Sequence, residues 1–211
     1  MKRLGSRDSA ERTEEQTHIA HWWAEYSTVG YPDFARDRIA EDGMHLWPAA
    51  RLFALLAVDN FDALVSAWDA KYEYAYWRPH NAIHAANDDG NPATAADPGW
   101  APEMTTPPHP DYPAALSTLC AGGAEILKDV FGPDVDFTRA SGSAPEGLPE
   151  TRQYDTLDAA VESCMRSRIY NGFHFRTGLE VGVEMGRDCA AHILDTQLRR
   201  RPDTAEMGLP D

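Results

Sequence analysis

Lys71 and Arg78 lie seven positions apart, with Pro79 directly after. Arg168 and His174 lie six apart inside Ser167-Arg168-Ile169-Tyr170-Asn171-Gly172-Phe173-His174. These residue types suit a tetrahedral oxyanion. A lysine and two arginines can surround its oxygens with charge-assisted hydrogen bonds, while a histidine supplies one axial ligand or nucleophile to its central atom. At about 4 Å and an effective dielectric near 20, each cation gains roughly 4 kcal/mol against one negative charge before desolvation is subtracted. Lys71 and Arg78 alone read as two solvated cations at a helix end. The second pair turns the reading toward a pocket.

A third segment, Thr105-Thr106-Pro107-Pro108-His109-Pro110-Asp111-Tyr112-Pro113, lies between the two. The three motifs in this order resemble the vanadium-dependent haloperoxidases and the related type 2 phosphatidic acid phosphatases, over residues from about 13 to about 192. The resemblance implies an all-α helical bundle in which Lys71, Arg78 and Arg168 hold the equatorial oxygens of vanadate or phosphate. His174 would be the metal site's ligand to vanadium in a haloperoxidase, or the nucleophile in a phosphatase. The family's middle motif reads Pro-Ser-Gly-His, whereas this chain has Pro113 followed by Ala114, Ala115 and Leu116. Ala114 brings no hydroxyl, Ala115 adds a methyl where backbone should come close, and Leu116 cannot ionise. Loss of an acid/base group typically costs about 10²- to 10⁴-fold. Three histidines are candidates to replace it: His80, which directly follows Arg78-Pro79, then His84 and His109. His80 is the preferred second catalytic residue.

The composition narrows the partners. A formal charge of −15 and a pI near 4.8 oppose nucleic-acid and anionic-membrane partners, so any anion must be held by a local cationic pocket. The chain of 211 residues supports one sizeable core. Asp59, Asp62 and Asp69 interrupt its most apolar region before the roughly 18 residues of a membrane span accumulate. After Met1-Lys2-Arg3 the charges of Glu11, Arg12, Glu14 and Glu15 stand where a signal peptide needs its apolar stretch. Cys120, Cys164 and Cys189 are widely spaced and read as buried free thiols of a reducing compartment. The expected location is therefore cytoplasmic.

Periodicity supplies the elements. Thr13 with Gln16 forms a capping box, followed by Ile19, Trp22, Trp23 and Tyr26 on one helical face and a stop near Gly30 and Pro32. His18 and His21 share this helix, and packing roles are favoured over metal binding because no further ligand completes a set. A long helix is expected from Pro48 to about Trp77, with Leu52, Leu55, Leu56 and Phe61 as its apolar face; a helix reaching Arg78 would point Lys71 and Arg78 the same way. Residues 87–113 read as a proline-stiffened functional loop. Helices follow over 114–131, stopped by Gly132-Pro133, and from a cap at Asp155 or Thr156 to about Arg166. Asn171-Gly172 breaks the chain so that Arg168 and His174 can converge. Gly178, Gly182 and Gly186 mark close packing on a final helix. No segment alternates as a strand.

These readings give residues 1–12 as a tail, 13–198 as one haloperoxidase-like helical domain and 199–211 as a second tail. The expected activity is that of an oxidoreductase on a small organic substrate, with altered proton transfer and vanadate or phosphate as ligand. A phosphatase, a cofactor-free isomerase or cyclase, and a non-catalytic oxyanion binder are the alternatives. Full-length haloperoxidases carry a further helical region, so a homodimer or a helical partner protein is expected to cover Trp22, Trp23, Tyr26 and the glycine row.

Overall fold

The computed structural model describes residues 1–24 and 27–199. Among them the chain forms seven α-helices and one two-stranded antiparallel sheet: α1 Glu14–Trp22, α2 Ser27–Glu41, α3 Leu46–Tyr74, α4 Pro79–His84, α5 Ala115–Phe131, β1 Phe137–Ala140, β2 Thr151–Tyr154, α6 Leu157–Tyr170 and α7 Arg176–Thr196. The architecture is a helical bundle with α5 at its centre, packed against α2, α3, α6 and α7.

Local chemistry explains most boundaries. Thr13 accepts from the Gln16 N–H and Gln16 reaches back to the Thr13 N–H, so α1 starts on a complete capping box. Thr156 caps α6 through the Ala159 N–H, settling the choice between Asp155 and Thr156. Pro79 opens α4 at a position whose missing N–H costs nothing. Gly132 ends α5 at φ 96°. The first helical stretch is two elements rather than one: α1 stops at Trp22, and Pro32 lies inside α2 instead of closing a helix. Tyr26 falls outside the described residues.

Four side chains expected in other roles correct the sequence reading. Phe61, assigned to the apolar face of α3, is exposed, while Asp59 is only 1% exposed, and burial raises its carboxyl to about 7. Trp22 and Trp23 sit in the core with Leu52, Leu55, Ile126, Leu127, Leu157 and Ile193, and so do not await a partner. The hairpin β1–β2, in register Phe137↔Tyr154, was invisible because its second inward position is Arg139, buried with its guanidinium 5.5 Å from the Trp22 ring. Polar and cationic residues at inward positions erase the apolar alternation that marks a strand.

Cys120 and Cys164 form a disulfide between α5 and α6, leaving Cys189 free. The expectation of three free thiols is thus wrong for this pair, and the argument for a reducing compartment loses its main support. No helix among the described residues is long and apolar enough to cross a membrane.

Residues 1–12, read as a tail, are tied to the body. Arg12 donates to the carbonyls of Leu4 (2.8 Å) and Ser6 (2.6 Å) and pairs with Glu103, the Trp100 indole donates to the Lys2 carbonyl at 2.9 Å, and Gly5 O accepts from Glu103 N–H at 3.0 Å. Of the segment 199–211, residues 200–211 lie outside the described residues.

Gly182 and Gly186 of α7 do lie against α5 and its N-cap, while Gly178 lies against Asp111 and Tyr112 of the loop before α5. A Cβ on Gly186 would stand 2.1 Å from the Thr118 carbonyl oxygen and 2.9 Å from the Gly122 nitrogen, both backbone atoms with little freedom to yield. Gly186→Ala should therefore push α7 off α5 and destabilise the fold by about 1–3 kcal/mol, or more. The urea midpoint measures it, and an unchanged midpoint would contradict this packing.

Candidate functional site

Four elements bring the predicted cations together. Lys71 lies in the last turn of α3, but that helix ends at Tyr74, where Ala75 adopts the left-handed region at φ 45°. Arg78 is then the residue before α4, so it converges with Lys71 by a turn and not along one helical face as expected. Arg168 sits in the last turn of α6. His174 follows in the α6–α7 connection, after Gly172 at φ 77°. Gly172 also needs its lack of a side chain, since a Cβ would lie 2.5 Å from the Gly5 carbonyl oxygen.

All four side chains are buried, and the loop 105–113 supplies partners to Lys71 and Arg78. Lys71 Nζ donates to the carbonyls of Pro110 (2.7 Å) and Asp111 (2.9 Å). Arg78 donates through Nε to the His109 carbonyl at 2.8 Å, and through Nη1 to the Phe173 carbonyl at 2.9 Å and His174 Nε2 at 3.0 Å; its Nη2 meets His109 Nδ1 at 3.1 Å. Arg168 donates to Ser167 Oγ and to the Trp23 carbonyl, each at 3.0 Å. Burial shifts every titration here, and neighbouring cations add to it at Lys71, Arg168 and His174. Burial and then Arg78 lower Lys71 to about 7; burial lowers Arg78 to about 10; burial and Arg78 lower Arg168 to about 9. The His174 imidazole is pushed well below its ordinary value by burial and then by Arg78, Lys71 and Arg168. It is therefore neutral.

Sequence reasoning missed one residue, and the structure sets another apart from the cavity. Asp111 is the missed residue, a carboxylate 1% exposed whose Oδ1 lies 2.9 Å from His174 Nδ1 and 3.9 Å from Arg78 Nη1. The 2.9 Å approach is too oblique to count as a hydrogen bond, which leaves both atoms otherwise without a partner. Burial raises Asp111 to about 7 against the opposing pull of Arg78 and Lys71. The available signal was a carboxylate set between two prolines in a loop already suspected of function. His80, the histidine preferred from the sequence, packs on His84 with ring centroids 4.1 Å apart and, like Lys71 and Arg78, is not among the residues lining the cavity. His84 is bonded to the Trp100 carbonyl at 2.8 Å. His109 is the histidine that faces the same cavity as His174. His18 and His21 pack as expected, His18 between Pro149 O and Arg152 and His21 on Glu103.

That cavity, of about 120 Å³, is lined by Arg168, His174 and His109 on its polar side and by Trp68, Ala115 and Leu116 on its apolar side. The N-terminus of α5 opens onto it. Ala114 is the N-cap but gives no side-chain bond, and the amides of Ala115, Leu116 and Ser117 have no partner within the helix. Buried cations, a helix N-terminus and a neutral imidazole fit an oxyanion such as vanadate or phosphate. The hydroxyl and the ionisable side chain expected at Ala114 and Leu116 are absent, so the anion's surroundings fit and the proton-transfer side does not. No group of three or more His, Cys, Asp or Glu side chains among the described residues could hold a bare metal ion.

Comparison with known proteins bears on the fold and the family. A curated relative, the vanadium chloroperoxidase of Curvularia inaequalis, is 40% identical over 85 residues, which is 36% of this chain and 13% of that protein. A bacterial vanadium-dependent iodoperoxidase superposes with a TM-score of 0.73 at 27% identity, over 86% of this chain and 44% of its own. A holo-type bacterial vanadium-dependent chloroperoxidase superposes with a TM-score of 0.71 at 18% identity, over 86% of this chain and 43% of its own, and so speaks for the fold alone. The chain spans less than half the length of each of these proteins. Residues 51–201 match the model of the VCPO second helical-bundle domain, and with most of its length inside that match the chain belongs to this vanadium haloperoxidase family.

Proposed function

We propose that the chain forms an oxyanion pocket of the haloperoxidase type, in which Lys71, Arg78 and Arg168 hold the oxygens of vanadate, or of phosphate, and His174 meets the central atom. The observation that carries this reading is the His174 Nε2 atom. Arginine can only donate, so Nε2 accepts from Arg78 and presents its lone pair among three buried cations. An incoming anion would draw Arg78 onto its own oxygens and free that lone pair. Vanadate bound there would supply a Lewis-acidic centre for oxidation of a small organic substrate by peroxide. Trp68 and Leu116 exclude water from the apolar side, and no side chain at position 116 moves a proton. Turnover should be weak for that reason. The test is bromide oxidation by hydrogen peroxide with and without added vanadate: dependence on vanadate supports the reading, and equal rates without it would refute it. A phosphohistidine formed at His174 would instead indicate the phosphatase reading. An isomerase, a cyclase or a non-catalytic oxyanion binder would show neither.

We further propose that α3 docks on a second helical bundle, through a homodimer or a helical partner. The reason differs from the one the sequence suggested, because Trp22, Trp23 and the glycine row are covered within the domain. What supports it is the outer face of α3, where Phe61 (68% exposed), Val65 (52%) and Tyr72 (63%) follow at helical spacing and are continued by Tyr76. Exposed apolar side chains grouped along one helix, here with exposed Asp62 and Asp69 beside them, are a common feature of interaction sites. Light scattering coupled to size exclusion at micromolar concentration should show a dimer that Phe61→Glu dissociates. A monodisperse, folded monomer at all concentrations would remove the homodimer.

A further inference from the structure

We infer that Asp111 is the positioning residue of His174. It receives the Nδ1 proton and so turns the Nε2 lone pair toward Lys71, Arg78 and Arg168. The inference deepens the oxyanion reading and rests on it for the role of His174. Because Arg78 Nη1 donates to Nε2 at 3.0 Å, the single proton of the neutral ring belongs on Nδ1. The charged group beside that atom is Asp111 Oδ1 at 2.9 Å, and Nδ1 has no other partner. A small turn of the carboxylate would complete the bond.

Asp111 is held for this purpose on every side. Its N–H donates to the Tyr76 carbonyl at 2.9 Å, its own carbonyl accepts from Lys71 at 2.9 Å, and its carboxylate accepts from the Phe175 N–H. Gly178, in the first turn of α7, leaves the space that the carboxylate occupies: a Cβ there would lie 3.0 Å from Asp111 Oδ2. The residue therefore ties loop 105–113 to α3, to the start of α7 and to the imidazole at once. An imidazole whose far nitrogen is bonded to a carboxylate keeps one tautomer and one ring orientation. With Asp111 removed, a buried N–H would be left unsatisfied, and the ring would gain by flipping away from the cations.

Long-range proton–nitrogen correlation spectra of ¹⁵N-histidine-labelled protein read the tautomer directly, and titration with inorganic phosphate reads its consequence. The wild type should show His174 protonated on Nδ1. Asp111→Ala should show mixed tautomers and bind phosphate about tenfold more weakly. Asp111→Asn, which keeps an acceptor oxygen, should retain the Nδ1–H form. Asp111→Ala with Gly178→Asp, which returns a carboxylate to the same space from α7, should regain both properties. A wild-type ring protonated on Nε2 overturns the inference, and so does an unchanged tautomer in a folded Asp111→Ala variant. If Asp111→Ala does not fold, the wild-type spectrum and the Gly178→Asp double variant still decide. A wild type that carries the Nδ1–H tautomer and binds no phosphate would sink the oxyanion reading while leaving the positioning role intact.

Discussion

Changing Ala114 to Ser, Ala115 to Gly and Leu116 to His together should raise vanadate-dependent bromide oxidation by about 10²- to 10⁴-fold, the usual worth of a positioned acid/base group. The site explains both the size and the cause. Leu116 lines the cavity shared by His174, Arg168 and His109, so a histidine at 116 enters the place where a proton must be delivered. Ala114 is the uncapped N-cap of α5, and a serine there brings a hydroxyl to the cavity rim while capping the helix, a change typically worth about 1 kcal/mol. Ala114→Ser alone should therefore raise the unfolding midpoint without restoring turnover. Rapid bromide oxidation by the unaltered protein would mean that another group already supplies the proton. The geometry then singles out His109, which burial and then Arg78 and Lys71 lower to about 4, and His109→Ala should abolish the activity. His80→Ala should not, because His80 packs on His84 outside the cavity. A triple variant that binds vanadate but gains nothing would place the deficiency elsewhere than residue 116.

Oxyanion binding should stabilise the fold and should weaken as pH rises through about 7. At 100 times its dissociation constant an anion adds about 2.7 kcal/mol to stability. The sign of the pH effect follows from Lys71, which burial and then Arg78 hold at about 7 in the anion-free protein. A bound anion favours the charged lysine and raises that value, so binding takes up a proton above pH 7 and needs none below it. Asp111, raised to about 7, acts in the same direction, since its ionisation adds repulsion toward the anion. Arg78 and Arg168 stay cationic, and His109 and His174 stay neutral, through this range. Sulfate is the clean probe because its own charge is constant there. Thermal unfolding in sulfate should show a shift that shrinks above neutral pH, and a shift that grows with pH would contradict the assignment to Lys71.

The bundle and most helix ends were legible in the sequence because they depend on local rules, and the four converging residues were legible through the motifs that carry the family resemblance. Caps, proline and glycine stops and apolar periodicity act over a few residues, and the three motifs keep a fixed spacing. Tertiary placement decided what was not legible. Asp59 reads as a polar interruption of α3, yet it lies 1% exposed beside Gly122, where a Cβ would come within 2.6 Å of its carboxylate oxygens. The sequence step from Lys71 to Arg78 suggests one continuous helix, whereas the left-handed Ala75 ends it and a separate turn achieves the same convergence. His80 follows the motif directly but faces His84, and His109 reaches the cavity from a loop 29 positions later. Asp111 had no spacing to betray it. Its role depends on α3, α7 and the proline-rich loop meeting around one carboxylate.

Equilibrium dialysis of the purified protein against vanadate, followed by vanadium analysis, tests the central claim most directly. Wild type should retain one vanadate per chain, with Arg168→Ala and His174→Ala retaining none while still folded by circular dichroism. Equal retention by all three proteins, or none by the wild type, would contradict the assignment of Lys71, Arg78, Arg168 and His174 as an oxyanion site.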